Sequence, residues 1–189
     1  MFPARWLRAG ADQSEIFRSQ LPNNSVSSSL GDAFMSAELK TFRAAIEDLP
    51  LLAPLFDAYR VFYQQASDLP LAEKFLFDRL STGESVILFC CQSPGRLPAG
   101  FTQLYPSFSS TSAGRIWILN DLFVAPAFRR LGLGRVLIQA AHDHARETGA
   151  LEVVLSTAHT NEAAQALYES IGYIQDTEFR SYSFAIRPT

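Results

Sequence analysis

The sequence predicts an α/β fold in which a single mixed, mostly antiparallel sheet is flanked by helices. The 189-residue chain switches several times between strand-like and helix-like patterns, and it contains no internal repeat. Hydrophobic residues make up 48% of the chain and charged residues 19%, as is typical of a globular protein with one sizeable core. The longest apolar run, Val86–Cys91, is far shorter than the roughly 18 residues that cross a bilayer, so no membrane association is expected.

Residues 1–34 differ from the rest of the chain, because they are rich in Arg and Ser and show little periodicity. We expect them to be an N-terminal extension of unclear role, with Met35 as the natural start and residues 35–189 as the domain. A weak transit peptide is the alternative, and Asp12 and Glu15 argue against it. No apolar stretch of a secretory signal is present in this segment, and a cytoplasmic location is expected.

The charge balance and the cysteines exclude other classes of function. The formal net charge is −3, so the chain lacks the basic excess that nucleic-acid binding through phosphates requires. The two cysteines, Cys90 and Cys91, are adjacent within an apolar run, where successive side chains of a strand point to opposite faces. We therefore predict two buried thiols rather than a disulfide or a redox pair.

The first elements are a strand at Lys40–Ala44 and two helices. Apolar residues recur on one helical face between Leu51 and Tyr63, after Asp48 as a candidate N-cap. A second helix begins at Asp68 and ends at Gly83.

The later elements alternate in type. Strands are predicted at Ser85–Cys91, about Gly100–Tyr105, Arg115–Val124, Leu151–Thr157 and Phe179–Ile186. One helix begins at Gly132–Gly134, and another runs over Asn161–Ile171 and ends at Gly172. The buried face of the first is predicted to consist of Leu133, Val136, Leu137, Ala140 and Ala141.

An anion-binding pattern lies between the Arg115–Val124 strand and the next helix. Arg129 and Arg130 precede Gly132 and Gly134, which open the helix. Amides at a helix N-terminus have no partners within the helix, the glycines lack the Cβ atoms that would shield them, and guanidinium groups add donors. The pattern indicates a pyrophosphate site. It is neither a P-loop nor a dinucleotide fingerprint, because Arg135 follows the second glycine and position 137 is Leu.

Two motifs resemble those of the GCN5-related N-acetyltransferases, the GNAT family. Arg129-Arg130-Leu131-Gly132-Leu133-Gly134 resembles the acetyl-CoA signature R/Q-x-x-G-x-G/A. The segment from Asn161 to Tyr173 resembles the hallmark N-x-x-A-x-x-L-Y-x-x-x-G-(F/Y) and lies 27 residues beyond Gly134. The order of elements from Lys40 onward also matches. A weaker similarity at Tyr59–Tyr63 points to the branch that acetylates small amines or basic protein tails.

The resemblance implies the acyl-CoA N-acyltransferase fold, acetyl-CoA as co-substrate and a role for each matched residue. The backbone of Leu122, Phe123 and Val124 would meet the pantetheine arm and the thioester carbonyl. The pyrophosphate would be held, chiefly through main-chain amides, by Arg129, Arg130, Leu131, Gly132, Leu133, Gly134 and Arg135. Asn161 would contact the arm, with Ala164 leaving room for it.

Tyr168 would stand near the sulfur and protonate the leaving thiolate, as the resemblance implies. Asn161 and Tyr168 are seven residues apart, so they share one helical face. The alternative is that Tyr168 is a buried aromatic residue whose hydroxyl is merely satisfied.

The general base is left open. Several family members carry Glu where this chain has Asn120, in Leu119-Asn120-Asp121, and Asn cannot accept a proton. Asp121 is ionisable, but it points away from Asn120 on a regular strand unless a bulge changes its direction. Asp121 as a loop cap, a water chain or another acid are the alternatives, and His159 is a minor candidate.

No metal site is expected, because His142 and His144 diverge around their helix. No Cys or Ser has a positioned base, so a covalent acyl-enzyme is not expected either.

The predicted function is direct transfer of an acetyl group from acetyl-CoA to a primary amine, a small amine or a basic peptide, in a ternary complex. A non-catalytic acyl-CoA-binding regulatory module is the alternative, which Asn120 favours. The first two helices and a final hairpin would bind the acceptor, where Asp57, Asp68 and Glu73 could attract an amine. The composition permits a homodimer without deciding it.

Overall fold

The computed structural model describes residues 39–92 and 97–186 and is built around a five-stranded sheet in the order β1-β2-β3-β4-β5. The strands are β1 (Leu39–Arg43), β2 (Val86–Gln92), β3 (Leu97–Ser109), β4 (Gly114–Val124) and β5 (Glu152–Leu155). The helices are α1 (Leu49–Phe62), α2 (Leu69–Thr82), α3 (Leu133–Glu147) and α4 (Glu162–Ile171), with 3-10 turns at Ile46–Asp48 and Pro126–Phe128. Strands β1 to β4 are antiparallel and β5 is parallel to β4, which confirms the predicted fold class.

The expectations for residues 1–34 and for a domain that begins at residue 35 lie outside the described residues. Both cysteines lie in β2 as buried thiols outside any disulfide, as predicted. None of the helices within residues 39–92 and 97–186 is long and apolar enough to cross a membrane.

Helix ends follow the predicted capping residues, with one difference. The carboxylate of Asp68 accepts the N–H of Leu71 at 3.0 Å, and Gly83 ends α2 in the left-handed conformation. Asp48 precedes α1 but does not cap it through its side chain, because it already belongs to a 3-10 turn. Its carboxylate accepts the N–H of Ala45 instead.

Two buried clusters hold the helices to the sheet. The first joins α1 and α2 to β2, β3 and β4 and includes Leu52, Leu76, Phe89, Phe101 and Phe123. The second joins α3 and α4 to the sheet and includes Leu104, Trp117, Ile138, Ala141 and Tyr168.

The prediction that Val136 belongs to the buried face of α3 is wrong. Val136 is 41% exposed, whereas Leu137 and Ile138 are completely buried. The apolar stripe of α3 turns toward Ile138 because both side chains of this adjacent pair reach the sheet clusters.

The predicted strand at Phe179–Ile186 is also wrong, since no strand is assigned after β5 within the described residues. Phe179 is 81% exposed and Phe184 is 83% exposed. An alternating pattern specifies a strand only when a neighbouring edge supplies hydrogen bonds and a face to bury against. The final hairpin expected to bind the acceptor is therefore not formed in this structure.

The feature of the sheet that positions the site is a bulge in β4. Asp121 pairs with Gln103 and Leu119 pairs with Leu104, so Asn120 is an extra residue. The pairing of β4 with β5 ends at Leu119 and Leu155, close to this bulge. Beyond it, residues 121–124 of β4 pair with β3 and, within the described residues, with no other strand, so the second edge of β4 is open there.

Candidate active site

A cavity of ≈ 520 Å³ lies where β4 separates from β5, and it extends to the N-termini of α3 and α4. Most residues that the sequence assigns to the site line this cavity: Asn120, Leu122, Phe123, Val124, Arg129, Arg130, Gly132, Leu133, Gly134, Arg135, Asn161, Ala164 and Tyr168. Two of them, Asp121 and Leu131, do not. The separate motifs thus meet around one space.

The N-terminus of α3 presents backbone donors to the cavity. Gly132 has a φ of 79°, in the left-handed region that favours glycine, and lies at the N-cap position. The N–H groups of Gly132, Leu133 and Gly134 donate no hydrogen bond within the part of the chain that the structure describes. The carbonyl of Gly132 accepts the N–H groups of Arg135 and Val136, which fixes the first turn. These unpaired donors and the helix dipole favour an anion at this point.

The arginines around this helix start have different positions. Arg130 is held at a φ of 64°, a strained conformation for a residue with a side chain, and it lines the cavity. Arg129 extends from the loop toward β4, where its Nε donates to the carbonyl of Val124 at 3.0 Å. Arg135 donates to the hydroxyl of Ser170 at 2.7 Å and so links α3 to α4.

Gly134 allows α3 and α4 to approach closely. A Cβ atom at this position would lie 3.0 Å from Cδ2 of Leu167. That distance is tighter than ordinary van der Waals contact, so a side chain here would require Leu167, which also lines the cavity, to shift. The glycine therefore serves the packing of the two helices as well as access to the amides.

Helix α4 places Asn161 and Tyr168 on the cavity wall. Oδ1 of Asn161 accepts the N–H of Ala164 at 3.3 Å as an N-cap, which leaves the amide Nδ2 available as a donor. Tyr168 is buried, and its ring packs edge-on against Tyr173 at 5.7 Å between centroids. Burial raises the pKa of Tyr168 to about 12, so its hydroxyl stays protonated at neutral pH.

On a regular strand the side chain of Asp121 would point away from that of Asn120. The bulge changes this direction, and the two side chains are in contact. Nδ2 of Asn120 donates to Oδ1 of Asp121 at 3.1 Å. The hydroxyl of Tyr59, from α1, donates to the same oxygen at 2.5 Å. The backbone carbonyl of Asp121 accepts the hydroxyl of Thr102 at 2.8 Å, which anchors the residue after the bulge to β3.

Burial sets the ionisation of this group. It raises the pKa of Asp121, and the hydrogen bonds from Tyr59 and Asn120 oppose that rise. The pKa of Tyr59 is raised far above its ordinary value, first by burial and then by the charge of Asp121. A carboxyl whose pKa is raised is a better proton acceptor once ionised, and Asp121 is the described carboxyl next to the cavity wall that carries such a shift.

The acids expected to attract an amine have other partners or positions. Asp57 is buried and accepts from Arg60, from the hydroxyl of Ser67 and from the N–H of Asp68. Asp68 caps α2. Neither of them nor Glu73 lines the cavity.

The three histidines also lie apart from the cavity wall. His142 contacts the hydroxyl of Tyr173 at 2.9 Å, and His144 packs against Trp117. His159 is exposed and is not among the lining residues. No group of three or more potential metal ligands occurs within residues 39–92 and 97–186.

Sequence reasoning missed the aromatic wall that α1 contributes to the cavity. Tyr59, Phe62 and Tyr63 line it, and Tyr59 packs against Phe101 and Phe123 of the sheet. The signal was present, because positions 59, 62 and 63 fall on one helical face. Ser156 and Thr157, which follow β5, line the cavity without a motif of their own.

The cavity suits acetyl-CoA in its shape and in its donors. It contains unpaired amides for a pyrophosphate, three arginines and an open strand edge along which an amide-containing arm can lie. The glycine positions leave the approach to those amides free, since nothing lies within 4 Å of a Cβ built at Gly132.

Comparison with known proteins agrees with this geometry. The family model of the acetyltransferase (GNAT) family matches residues 52–173. The chain belongs to the GNAT family. Among its relatives is the uncharacterized N-acetyltransferase YhfO of Bacillus subtilis, 51% identical over 140 residues, which are 74% of this chain and 93% of that protein. A crystal structure of a probable acetyltransferase shares 45% identity with a TM-score of 0.75, covering 79% of this chain and 99% of its own.

A third relative has a named substrate. The thialysine N-epsilon-acetyltransferase of Caenorhabditis elegans is 33% identical over 84 residues, which are 44% of this chain and 52% of that protein. Membership of the GNAT family makes this chain an acetyltransferase with acetyl-CoA as its co-substrate. The alternative of a non-catalytic acyl-CoA-binding module is therefore not retained.

Proposed function

We propose that this GNAT enzyme transfers the acetyl group of acetyl-CoA directly to a primary amine, with both substrates bound at once. The observation that carries the proposal is the cavity that the anion-binding start of α3 and Tyr168 both line, with Asp121 held beside it by Asn120. Holding the two reactants together supplies much of the rate acceleration. A small amine and a basic peptide both remain as acceptors, and the thialysine enzyme among the relatives supports an amine of this kind.

Each of the matched residues has a role in this proposal. The amides from Gly132 to Gly134, with Arg129 to Arg135 around them, bind the pyrophosphate, and Leu122 to Val124 offer backbone groups to the arm. Asn161 and Ala164 line the same arm. When bound, acetyl-CoA supplies a thioester whose carbonyl the amine attacks, and a strand N–H near that oxygen stabilises the charge that develops there.

Two side chains move protons in the proposed mechanism. Tyr168 donates a proton to the departing sulfur, as its raised pKa allows. Asp121 accepts a proton from the amine, and Asn120 holds its carboxylate by hydrogen bonding rather than acting as a base. A covalent acyl-enzyme is not favoured, because neither Cys90 nor Cys91 lines the cavity and no histidine is among the described lining residues.

The proposal is tested by the release of free CoA thiol from acetyl-CoA across a panel of acceptors. Polyamines, amino acids, aminoglycosides, arylamines and lysine-rich peptides cover the classes that an amine enzyme takes. We expect release with one class and intersecting initial-velocity lines, which indicate a ternary complex. Parallel lines would favour an acyl-enzyme, and silence across the panel while acetyl-CoA binds would contradict an amine acceptor.

The other expectations stay predictions with their own measurements. Homodimer formation is tested by sedimentation over a range of protein concentrations. A cytoplasmic location and the lack of nucleic-acid and membrane binding are tested by fractionation and by binding assays with DNA and lipid vesicles.

A further inference from the structure

Asp121 lies next to the cavity without lining it. The residue is 5% exposed, whereas Tyr59 and Asn120 both line the cavity. Both donate to Oδ1 of Asp121, Tyr59 at 2.5 Å and Asn120 at 3.1 Å. A substrate in the cavity therefore meets the hydroxyl of Tyr59 or the amide of Asn120 before it meets the carboxylate.

These two routes to Asp121 are not chemically equivalent. The amide NH₂ of Asn120 donates hydrogen bonds, but it cannot accept a proton from the substrate and pass its own proton to Asp121. A hydroxyl both donates and accepts, so the oxygen of Tyr59 can accept a hydrogen bond from an amine while its own proton points at Asp121. Of the two residues between cavity and carboxylate, only Tyr59 can conduct a proton.

We propose that Tyr59 is a catalytic proton relay, which takes a proton from the acceptor amine on its hydroxyl oxygen while it passes its own proton to Asp121. The inference rests on the proposed function, because it requires an amine acceptor. Two protons leave an ammonium nitrogen during the reaction. The first reaches Asp121 through Tyr59, and the neutral amine then forms the new C–N bond as the C–S bond breaks.

The remaining steps close the balance of protons and charge. The electron pair of the C–S bond stays on the sulfur of CoA, which receives a proton from Tyr168. The second proton moves from the nitrogen to the phenolate oxygen of Tyr168 and restores its hydroxyl. Asp121 finally releases its proton to solvent, so that Tyr59, Tyr168 and Asp121 return to their starting states.

The surroundings of Tyr59 and Asp121 favour proton transfer from the hydroxyl of Tyr59 to the carboxylate of Asp121. The pKa of Tyr59 is raised far above its ordinary value, so a free tyrosinate does not form and the two proton movements are concerted. The groups that face Tyr59 and Asp121 are Tyr63, which directly follows α1, Tyr105 and Gln103 from β3, and Asn120 from β4. None of these carries a positive charge that would hold the Asp121 carboxylate ionised.

Gln103 adds an independent sign that the carboxyl can be neutral. It is the cross-strand partner of Asp121 and is completely buried. Its Oε1 accepts no hydrogen bond within the described residues, although its Nε2 donates to Ser85 at 2.8 Å. A protonated Asp121 has an O–H donor to offer on the strand position paired with this acceptor, whereas the ionised form has none.

The test is Tyr59→Phe, which removes the hydroxyl and keeps the ring that packs on Phe101 and Phe123. With the amine that the acceptor panel selects, we expect kcat to fall about 100-fold, while the Kd of acetyl-CoA stays within twofold. Tyr105→Phe is the matched control, since the charge of Asp121 also raises the pKa of this tyrosine but Tyr105 does not line the cavity. It should retain wild-type kcat within twofold.

A nucleophile that is already unprotonated shows whether Tyr59→Phe acts by removing proton transfer or by changing the packing of the ring. With hydroxylamine at neutral pH no first proton has to be removed, so the loss caused by Tyr59→Phe should shrink to about threefold or less. An equal loss with hydroxylamine and with the ammonium substrate would overturn the relay. So would a folded Tyr59→Phe variant that retains more than half of the wild-type kcat.

A titration of the carboxyl needs no acceptor and distinguishes this proposal from the proposed function. Tyr59 lowers the pKa of Asp121 through its hydrogen bond, so Tyr59→Phe should raise that pKa further, as followed by carboxyl NMR or infrared bands. No movement of the Asp121 signal would overturn the relay even if the wild type acetylates amines. If Tyr59→Phe moves the signal but the wild type acetylates no amine, the hydrogen bond is confirmed while the proposed function fails, and the relay fails with it.

Discussion

The Nε atom of Arg129 donates a 3.0 Å hydrogen bond to the carbonyl of Val124, which places this arginine across the open edge of β4. Its guanidinium carbon lies 5.3 Å from the ring centroid of Phe62 and 5.9 Å from that of Phe123. The same carbonyl belongs to the segment that we assign to the pantetheine arm. In the proposed function Arg129 also binds the pyrophosphate, so the bond to Val124 and the pyrophosphate compete for the same guanidinium.

Removing the Arg129 side chain should affect binding of the two ends of acetyl-CoA differently. We expect Arg129→Ala to weaken acetyl-CoA binding about tenfold, since a charge-assisted hydrogen bond to the pyrophosphate is lost. Binding of S-acetylpantetheine, which has no pyrophosphate, should be unchanged or tighter because the Val124 carbonyl becomes free. Calorimetric titration of both ligands measures this, with Arg146→Ala on the exposed face of α3 as the control. Equal losses for both ligands would contradict the pyrophosphate role.

The left-handed conformation at Gly132 gives a prediction about stability. No atom lies within 4 Å of a Cβ built there, so Gly132→Ala is opposed by backbone strain at a φ of 79° rather than by a clash. We expect it to lower the free energy of unfolding by about 1–2 kcal/mol. Gly132→Asn should lose less, because Asn tolerates this region better. Denaturant unfolding measures both, and equal losses for Ala and Asn would show that strain is not the cause.

The parts of the fold that the sequence predicted are those with local signals. Asp68, Gly83 and Gly172 fix helix ends through contacts with residues a few positions away. The glycines and arginines before α3 form a pattern because the amides of one helix start are consecutive in sequence. The meeting of these motifs around one cavity was expected from the family resemblance, which the order of elements read from the sequence also matches.

The parts that the sequence did not predict depend on distant contacts. The bulge at Asn120 depends on the register between β3 and β4, and no residue type in Leu119-Asn120-Asp121 predicts it. The bond between Tyr59 and Asp121 joins positions 62 residues apart, so it follows only from the packing of α1 on the sheet. The alternation of Phe179–Ile186 misled because a strand needs an edge to pair with, which the pattern itself does not provide.

The raised pKa of Asp121 predicts how stability changes with pH. A carboxyl with a folded pKa above its unfolded value of 3.8 destabilises the native state when it is ionised, and this penalty grows as pH rises from 3.8 through the folded pKa. We expect Asp121→Asn to melt at a higher temperature than the wild type at neutral pH. The difference should vanish as pH falls below 3.8, where the wild-type carboxyl is neutral in both states.

Thermal unfolding of both proteins across this pH range checks the sign. Glu73→Gln is the control, since it neutralises an exposed carboxylate on α2 that faces no part of the cavity. An Asp121→Asn variant that melts below the wild type at neutral pH would show that the ionised carboxylate is a net source of stability. The same variant should have lost most of its kcat, because an amide accepts no proton.

Tyr168 gives the sharpest prediction about the leaving group. Tyr168→Phe keeps the ring against Tyr173 and removes the hydroxyl, so acetyl-CoA should bind within twofold of the wild type. We expect kcat to fall about 100-fold, the usual contribution of a positioned general acid. Tyr182→Phe is the matched control, because this residue is exposed and is not among the residues that line the cavity. Unchanged kcat in Tyr168→Phe would identify the residue as packing alone.

The pH dependence distinguishes an acid from a base at this position. Burial raises the pKa of Tyr168 to about 12, so the protonated form that an acid requires persists throughout the alkaline range of an ordinary assay. Titration of Tyr168 should therefore cause no fall of kcat between pH 8 and pH 10. The wild type and Tyr168→Phe should show kcat profiles of the same shape over that range. A kcat that instead climbs steadily with pH in the wild type and not in Tyr168→Phe would mean that the phenolate is the active form. Because burial opposes that charged form, we expect the first profile.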